Sequence, residues 1–223
     1  MEETPIASIA TTIERLRISV VKRLPHHVDF RKAQLHQLVK LLHENRDAFV
    51  EAMVKDLKTP FEAEMEVSYS ISEAISSINS LDEWVKPQKH HGGSGIISLA
   101  FMFDSKMILH EPLGLVLIIS PWNYPALLSL LPVIGAIAAG NCVILKPSEV
   151  SGNTSNFFLE KFQRYLDPAC YAVVSGNANQ VNELLKHPFD HVLFTGGGNI
   201  GKIVYEKAAK FLTPVTLELG GKW

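Results

Sequence analysis

Between Pro112 and Leu145 the chain carries no charged residue. Such a length exceeds the ~20 residues that a membrane-spanning helix needs, and what interrupts it decides the reading. A short run of branched residues, 113–119, stops at Ser120-Pro121, where proline cannot continue a hydrogen-bond ladder. Residues 126–139 then read as a helix, with Pro125 near its start and Gly140-Asn141 at its end. A second branched run, 142–145, stops at Lys146-Pro147. Strand, buried helix and strand make one βαβ unit with parallel strands. Parallel strands are covered on both faces, so uniform apolarity is what they require, and a membrane span is not. Polar side chains gather where these strands end, at Asn123 and at Lys146 with Glu149, which is where open parallel sheets bind ligands.

Upstream, apolar positions recur at helical spacing three times. Ile9, Ile13, Leu16 and Val20 mark residues 8–21; a longer stripe runs from Leu35 through Leu42, Phe49, Met53 and Val54 to Leu57; and Met65, Tyr69, Ile71, Ile75, Ile78 and Leu81 mark residues 62–85. These predict three core-packing helices. Residues 86–95, KPQKHHGGSG, predict a loop, and the segment from there to Pro112 is rich in branched and aromatic residues and predicts one or two strands outside the main sheet. Downstream the alternation continues: helices at 151–165, 180–186 and 199–211, strands at 171–174, 191–194 and 215–219. The expected fold is α/β, a doubly wound Rossmann-like parallel sheet of five strands preceded by an N-terminal helical region. The expected division is a helical region 1–95, a strand-rich connector 96–111 that suits an oligomerisation arm, and a nucleotide-binding domain 112–223.

A net charge of −2 with no basic run clear of acids argues against nucleic-acid or anionic-membrane partners. The N-terminus lacks the basic and apolar regions of a signal peptide. Cys142 and Cys170 both border apolar strands and read as two buried free thiols, which suits a cytosolic setting. Metal binding is not expected. His90-His91 are adjacent with no nearby thiol or carboxylate, and Pro188 between His187 and His191 forbids the helical clamp of zinc enzymes.

The loop from Thr195 to Lys202 leaves three readings open. Gly196, Gly198 and Gly201 fit G-x-G-x-x-G between strand and helix, where backbone N–H groups and a helix N-terminus face an anion, and Glu218 stands where a ribose-binding acid is expected. The dinucleotide fingerprint, however, belongs after the first strand, and this loop follows the fourth. Gly196 to Lys202 also fits a P-loop, except that Ile203 stands where a magnesium-binding hydroxyl is needed. A tight turn with glycines for close packing is the third reading.

Several short stretches, in this order, resemble the aldehyde dehydrogenase superfamily: Glu111-Pro112-Leu113-Gly114, Pro121-Trp122-Asn123-Tyr124-Pro125, Gly140-Asn141, Lys146-Pro147-Ser148-Glu149, Phe194-Thr195-Gly196 and Glu218-Leu219-Gly220-Gly221-Lys222. The short helical region and the phrase from Leu212 to Glu218 look most like the class 3, fatty-aldehyde branch. The likeness runs over residues 31–222 and corresponds to the N-terminal half of a typical member.

The resemblance implies oxidation of aldehydes, medium- or long-chain aliphatic or aromatic, to carboxylic acids with NAD or NADP. It casts Asn123 as the side-chain amide that donates to the oxyanion, Lys146 and Glu149 as the pair at the adenosine ribose, and Trp122 as a cofactor-site residue working through its backbone. Gly196, Gly197, Gly198 and Gly201 become the pyrophosphate loop. Glu218 becomes the general base for hydrolysis of the thioester, which displaces its ribose reading. Gly197-Gly198 depart from a family loop that usually carries side-chain donors. The family's nucleophilic cysteine lies beyond the Glu218 position, as do the glutamate that holds the nicotinamide ribose and the catalytic domain, and neither Cys142 nor Cys170 aligns with the nucleophile. The 223-residue chain is therefore expected to be inactive alone and to associate or pair through faces left uncovered, where the family is usually homodimeric. The expected location is the cytoplasm, or the cytosolic face of a membrane if a longer form is anchored. The alternative is a non-catalytic nucleotide-binding or interaction protein on the same fold.

Overall fold

The computed structural model describes residues 1–89 and 106–221. Four helices come first: α1 (Ile6–Val21), α2 (Val28–Glu44), α3 (Arg46–Asp56) and α4 (Pro60–Trp84). The single long second helix expected from its stripe is two helices. They part at Asn45, whose side-chain amide donates to the Leu41 carbonyl and to the Tyr165 hydroxyl, both at 2.9 Å, so the break has its own hydrogen bonds. Leu57 does not continue the stripe: it is 77% exposed and holds a φ of 121° after the helix ends. Thr59 then starts α4 with a capping box to Glu62 and Pro60 at the first helical position.

The inward face of α4 differs from the expected one. Met65, Tyr69 and Ile75 are exposed, and the buried positions are Ala63, Glu66, Val67, Ser70, Ile71, Ala74, Ser77 and Leu81. Small side chains dominate that face, so α4 packs closely on its neighbours and turns its large apolar residues outward. In the expected loop, Gln88–Lys89 form a strand, β1, that pairs antiparallel with β2 (Met107–Ile108). The rest of the expected loop and connector strands, His90 and His91 included, lies outside the described residues.

The remaining strands are β3 (Leu115–Ile119), β4 (Cys142–Lys146), β5 (Tyr171–Val173), β6 (His191–Gly196) and β7 (Val215–Leu219). The helices between them are α5 (Leu127–Ala138), α6 (Gly152–Tyr165), α7 (Ala178–Leu184) and α8 (Gly198–Ala209). All four strand pairings are parallel, in the order β5-β4-β3-β6-β7. With the right-handed crossovers that parallel strands adopt, this order places α5 and α6 on one face and α7 and α8 on the other. Helices α2 and α4 cover α5, α3 covers α6, and α1 packs on β3, β4 and α7, so one continuous core joins the helical region to the sheet. Strands β3 and β4 are buried along their whole length, as uniform apolarity requires. The chain direction across the sheet reverses between β3 and β6, which makes the carboxyl edge there a crevice. Among the described residues, no helix is long and apolar enough to cross a membrane.

Candidate functional site

The register aligns the carboxyl ends of the inner strands. Ile119 pairs with Lys146 on one side and with Phe194 on the other, and Thr195 pairs with Glu218. The turn bearing Trp122 and Asn123, the Lys146–Glu149 segment, the glycine loop after β6 and Glu218 thus share one edge of the sheet.

Trp122, Asn123 and Tyr124 are all exposed. The Asn123 amide has no hydrogen-bond partner among the described residues, so it does not cap the helix behind it. That task falls to Glu66 of α4. Its buried carboxylate accepts from the N–H groups of Ala126 and Leu127 with Oε2, both at 3.0 Å, at the positive end of the α5 dipole. Lys58 Nζ lies 3.3 Å from the other oxygen and 4.1 Å from the centroid of the Tyr124 ring. An acid on an inward helical face, in step with Ala63 and Ser70, was the signal from which Glu66 could have been found.

Lys146 is 2% exposed, and its ammonium donates to Glu149 Oε2 at 2.8 Å. Burial lowers the lysine's pKa, and the bond and charge of Glu149 oppose that. For Glu149 burial acts upward, yet the Lys146 hydrogen bond, a backbone N–H and the lysine's charge outweigh it and leave the carboxyl below its ordinary value.

The four loop glycines do two different jobs. A Cβ on Gly196 would stand 2.7 Å from Phe194 Cζ, and one on Gly201 2.8 Å from Leu219 Cδ2, so both allow close packing. Gly197 and Gly198 have nothing within 4 Å of such a Cβ. The first helical bond runs from the Gly201 N–H to the Gly197 carbonyl, so the N–H groups of residues 198–200 have no intrahelical partner, as at any helix N-terminus. Glu218 is exposed, not enclosed in an apolar pocket.

Both cysteines are free and fully buried, and neither is at this edge. Cys142 opens β4 opposite Leu115, and Cys170 immediately precedes β5. The hydrogen bond that Cys142 donates to Cys170, together with burial, pushes the Cys142 thiol far up. His187 lies near Glu183, and His191 meets the Thr216 hydroxyl at 3.0 Å. Among the described residues no cluster of three or more His, Cys, Asp or Glu could hold a metal ion.

The model of the aldehyde dehydrogenase family matches residues 25–223. The chain belongs to the aldehyde dehydrogenase family. Aldehyde dehydrogenase family 3 member B1 of Bos taurus is 49% identical over 96% of this chain and 45% of that protein. Family 3 member A2 of Pongo abelii is 42% identical over 94% of this chain and 43% of that protein. The matches agree with the family and the class 3 branch to which the motifs pointed. Among solved aldehyde dehydrogenases, the substrate-bound state of Staphylococcus aureus AldH superposes with a TM-score of 0.91 at 34% identity, over 96% of this chain and 46% of that one. Succinic semialdehyde dehydrogenase from Streptococcus pyogenes, in complex with NADP+, gives 0.85 at 26% identity, over 99% and 48%. The chain spans about half the length of the curated relatives it matches.

Proposed function

We propose that these 223 residues form the dinucleotide-binding part of an NAD- or NADP-dependent aldehyde dehydrogenase, whose substrates are medium- or long-chain aliphatic or aromatic aldehydes and whose products are carboxylic acids. One observation carries the cofactor reading. Three N–H groups without an intrahelical partner stand at the start of α8, where a Cβ on Gly197 or Gly198 would meet nothing, on the same edge as the pair of buried Lys146 and half-exposed Glu149. The residues fit the group: the helix N-terminus suits a pyrophosphate, and a cation held against a carboxylate offers both a donor and an acceptor to ribose hydroxyls. Gly197 and Gly198 donate no side-chain bond but leave room for close backbone approach.

A bound nicotinamide supplies the hydride acceptor for aldehyde oxidation. In this reading Trp122 lines the crevice through its backbone and Gly196, Gly198 and Gly201 shape the phosphate turn. The Asn123 amide, uncommitted to any other acceptor, donates to the oxygen that gains charge when the carbonyl is attacked, a contact worth about 3–4 kcal/mol of barrier. Glu218, reached by solvent, takes the proton of the water that releases the acid. The attacking thiolate must come from elsewhere than Cys142 or Cys170, since both are buried away from Asn123. By themselves, then, these residues bind cofactor without oxidising aldehyde. The reading keeps the division into a helical region 1–95, an oligomerisation connector 96–111 and a nucleotide-binding unit 112–223, and a cytoplasmic setting. Calorimetric titration with NAD and NADP tests it: binding in the millimolar range or tighter is expected, and no heat with either cofactor would overturn it.

A further inference from the structure

The first residues of the chain are fastened to the sheet. The Thr4 N–H donates to the Ser175 carbonyl at 2.8 Å, and Thr4 Oγ1 accepts from the Ser175 N–H at 3.0 Å. One residue therefore takes both main-chain polar groups of Ser175, which is completely buried. Gln180 Nε2 donates to the Thr4 carbonyl at 3.2 Å, Asn177 Nδ2 donates to Glu3 Oε1 at 2.8 Å, and the Glu2 N–H donates to Asn156 Oδ1 at 2.7 Å. Residues 2–4 thus run as a strap over the turn that leaves β5.

That turn is shaped from two sides. Gly176 holds a φ of +149° against the Gln180 side chain, which leaves no room for a Cβ, and Gln180 in turn accepts from the Asn177 N–H at 3.0 Å. The strap closes the other side. The turn adjoins the candidate cofactor site, because Leu145 pairs with Val173 and accepts from the Val174 N–H at 2.9 Å, which sets Val174 beside Lys146 with Ser175 the next residue along the chain.

We propose that residues 2–4 position the base-binding end of the dinucleotide site, with Thr4 acting through Ser175. The inference rests on the cofactor reading above. In that reading the phosphates lie at the loop after β6 and the adenosine ribose at Lys146 and Glu149 of the β4 end. The next strand outward is β5, so the turn at Ser175 is what the purine meets. Thr4 is a positioning residue: it touches the turn, not the ligand. Removing it leaves two buried main-chain groups of Ser175 without partners, and the turn then has no reason to keep its shape.

The test compares the whole chain with Thr4→Ala, Thr4→Ser and a variant lacking residues 2–4, using AMP and nicotinamide mononucleotide as probes. Thr4→Ala is expected to weaken AMP binding by about fivefold to tenfold, the loss of one hydrogen bond. The strapless variant weakens it further, Thr4→Ser restores it, and nicotinamide mononucleotide binding is unchanged throughout. Amide exchange at Ser175 rises in Thr4→Ala. AMP binding that is equal in all four proteins would overturn the strap and leave the cofactor reading intact. An equal loss of both probes with a lowered Tm would overturn it in favour of general destabilisation. Failure of the unaltered chain to bind AMP or NAD would overturn the cofactor reading itself, and the strap with it.

Discussion

Cys142 and Lys146 are the first and last residues of one strand, β4, so the buried thiol and the buried ammonium lie on opposite edges of the sheet. At about 3.3 Å per residue the two Cα atoms are roughly 13 Å apart. No rotamer of Cys142 spans that distance to the Asn123 turn, and Cys170 starts from the same far edge.

This separation sets the expected activity. A thiolate must attack the aldehyde before hydride can leave, and both thiols here are enclosed: the bond donated to Cys170 and burial drive the Cys142 pKa upward, while accepting that bond holds the Cys170 thiol below its ordinary value without opening an approach to it. The 223-residue chain is expected to form no NADH or NADPH from short or long aliphatic aldehydes. Turnover that survives Cys142→Ser and Cys170→Ser would need another nucleophile, and turnover that either substitution abolishes would contradict the placement of the thiols.

The Lys146–Glu149 pair is expected to act on both binding and stability. Glu149→Gln removes the charge that compensates a buried ammonium and should weaken NAD binding about tenfold while lowering stability by about 1.5 kcal/mol, the low end for a hydrogen bond to a charged group because Glu149 is half exposed. The pH dependence follows from the depressed carboxyl. A carboxyl whose folded pKa lies below its unfolded value, 4.5, contributes stability above that value and loses it as pH falls through the folded pKa. The stability gap between the unaltered chain and Glu149→Gln should therefore be full at pH 7 and close below about pH 4.5, as read by urea unfolding; a constant gap would refute the pair's ionic character.

The glycine loop offers an internal contrast. Gly196→Ala would push a methyl against the buried Phe194 ring and is expected to cost about 1–3 kcal/mol. Gly198→Ala meets nothing, occupies the first helical position, and should be neutral or stabilising by about 0.5 kcal/mol. Its methyl nevertheless adds bulk to the turn that carries the free N–H groups, so cofactor affinity should fall while Tm does not. A Gly198→Ala chain that binds NAD normally would place the phosphates elsewhere.

Exposed apolar residues beside the outermost described strand set an expectation for association. Tyr205, Leu212, Pro214 and Val215 help line a groove of about 470 Å³ next to β7, and Leu212 is 89% exposed. An edge strand with apolar neighbours is a template for pairing. Light scattering is expected to show concentration-dependent association that Leu212→Lys reduces; a monodisperse monomer at high concentration would contradict it.

What could be read before the structure depended on whether the signal was local. The βαβ unit was legible because its punctuation, Pro121, Gly140 and Pro147, is written in the chain where the elements end. The five strands and their crossovers followed from the same rule. The inward face of α4 was not legible, because Met65, Tyr69 and Ile75 keep helical spacing while close packing selects the small Ala63, Ser70 and Ala74. The division of the second helix at Asn45 depends on Tyr165, 120 residues away. The motifs singled out Asn123, Lys146 and Glu149, which share one edge of the sheet, but nothing local to Asn123 reveals that a glutamate from α4 holds the helix behind it.

That glutamate carries the last expectation. Glu66 is 3% exposed and faces two helix N–H groups and the Lys58 ammonium. Removing it alone strands all three: the amides lose their acceptor and a nearly buried cation loses its counter-charge. Glu66→Ala is therefore expected to cost about 3–5 kcal/mol, as for breaking a buried pair. Glu66→Gln keeps an acceptor for the amides but still leaves Lys58 uncompensated, so it should cost less. Lys58→Met in that background removes the stranded cation and should return part of the loss. The cycle of single and double variants, followed by urea unfolding, isolates the coupling. Because α5 and the Trp122–Asn123 turn are continuous, Trp122 fluorescence should shift in Glu66→Ala before global unfolding begins. Additive losses with an unchanged Trp122 spectrum would mean that Glu66 and Lys58 act separately and that the turn is held by something else.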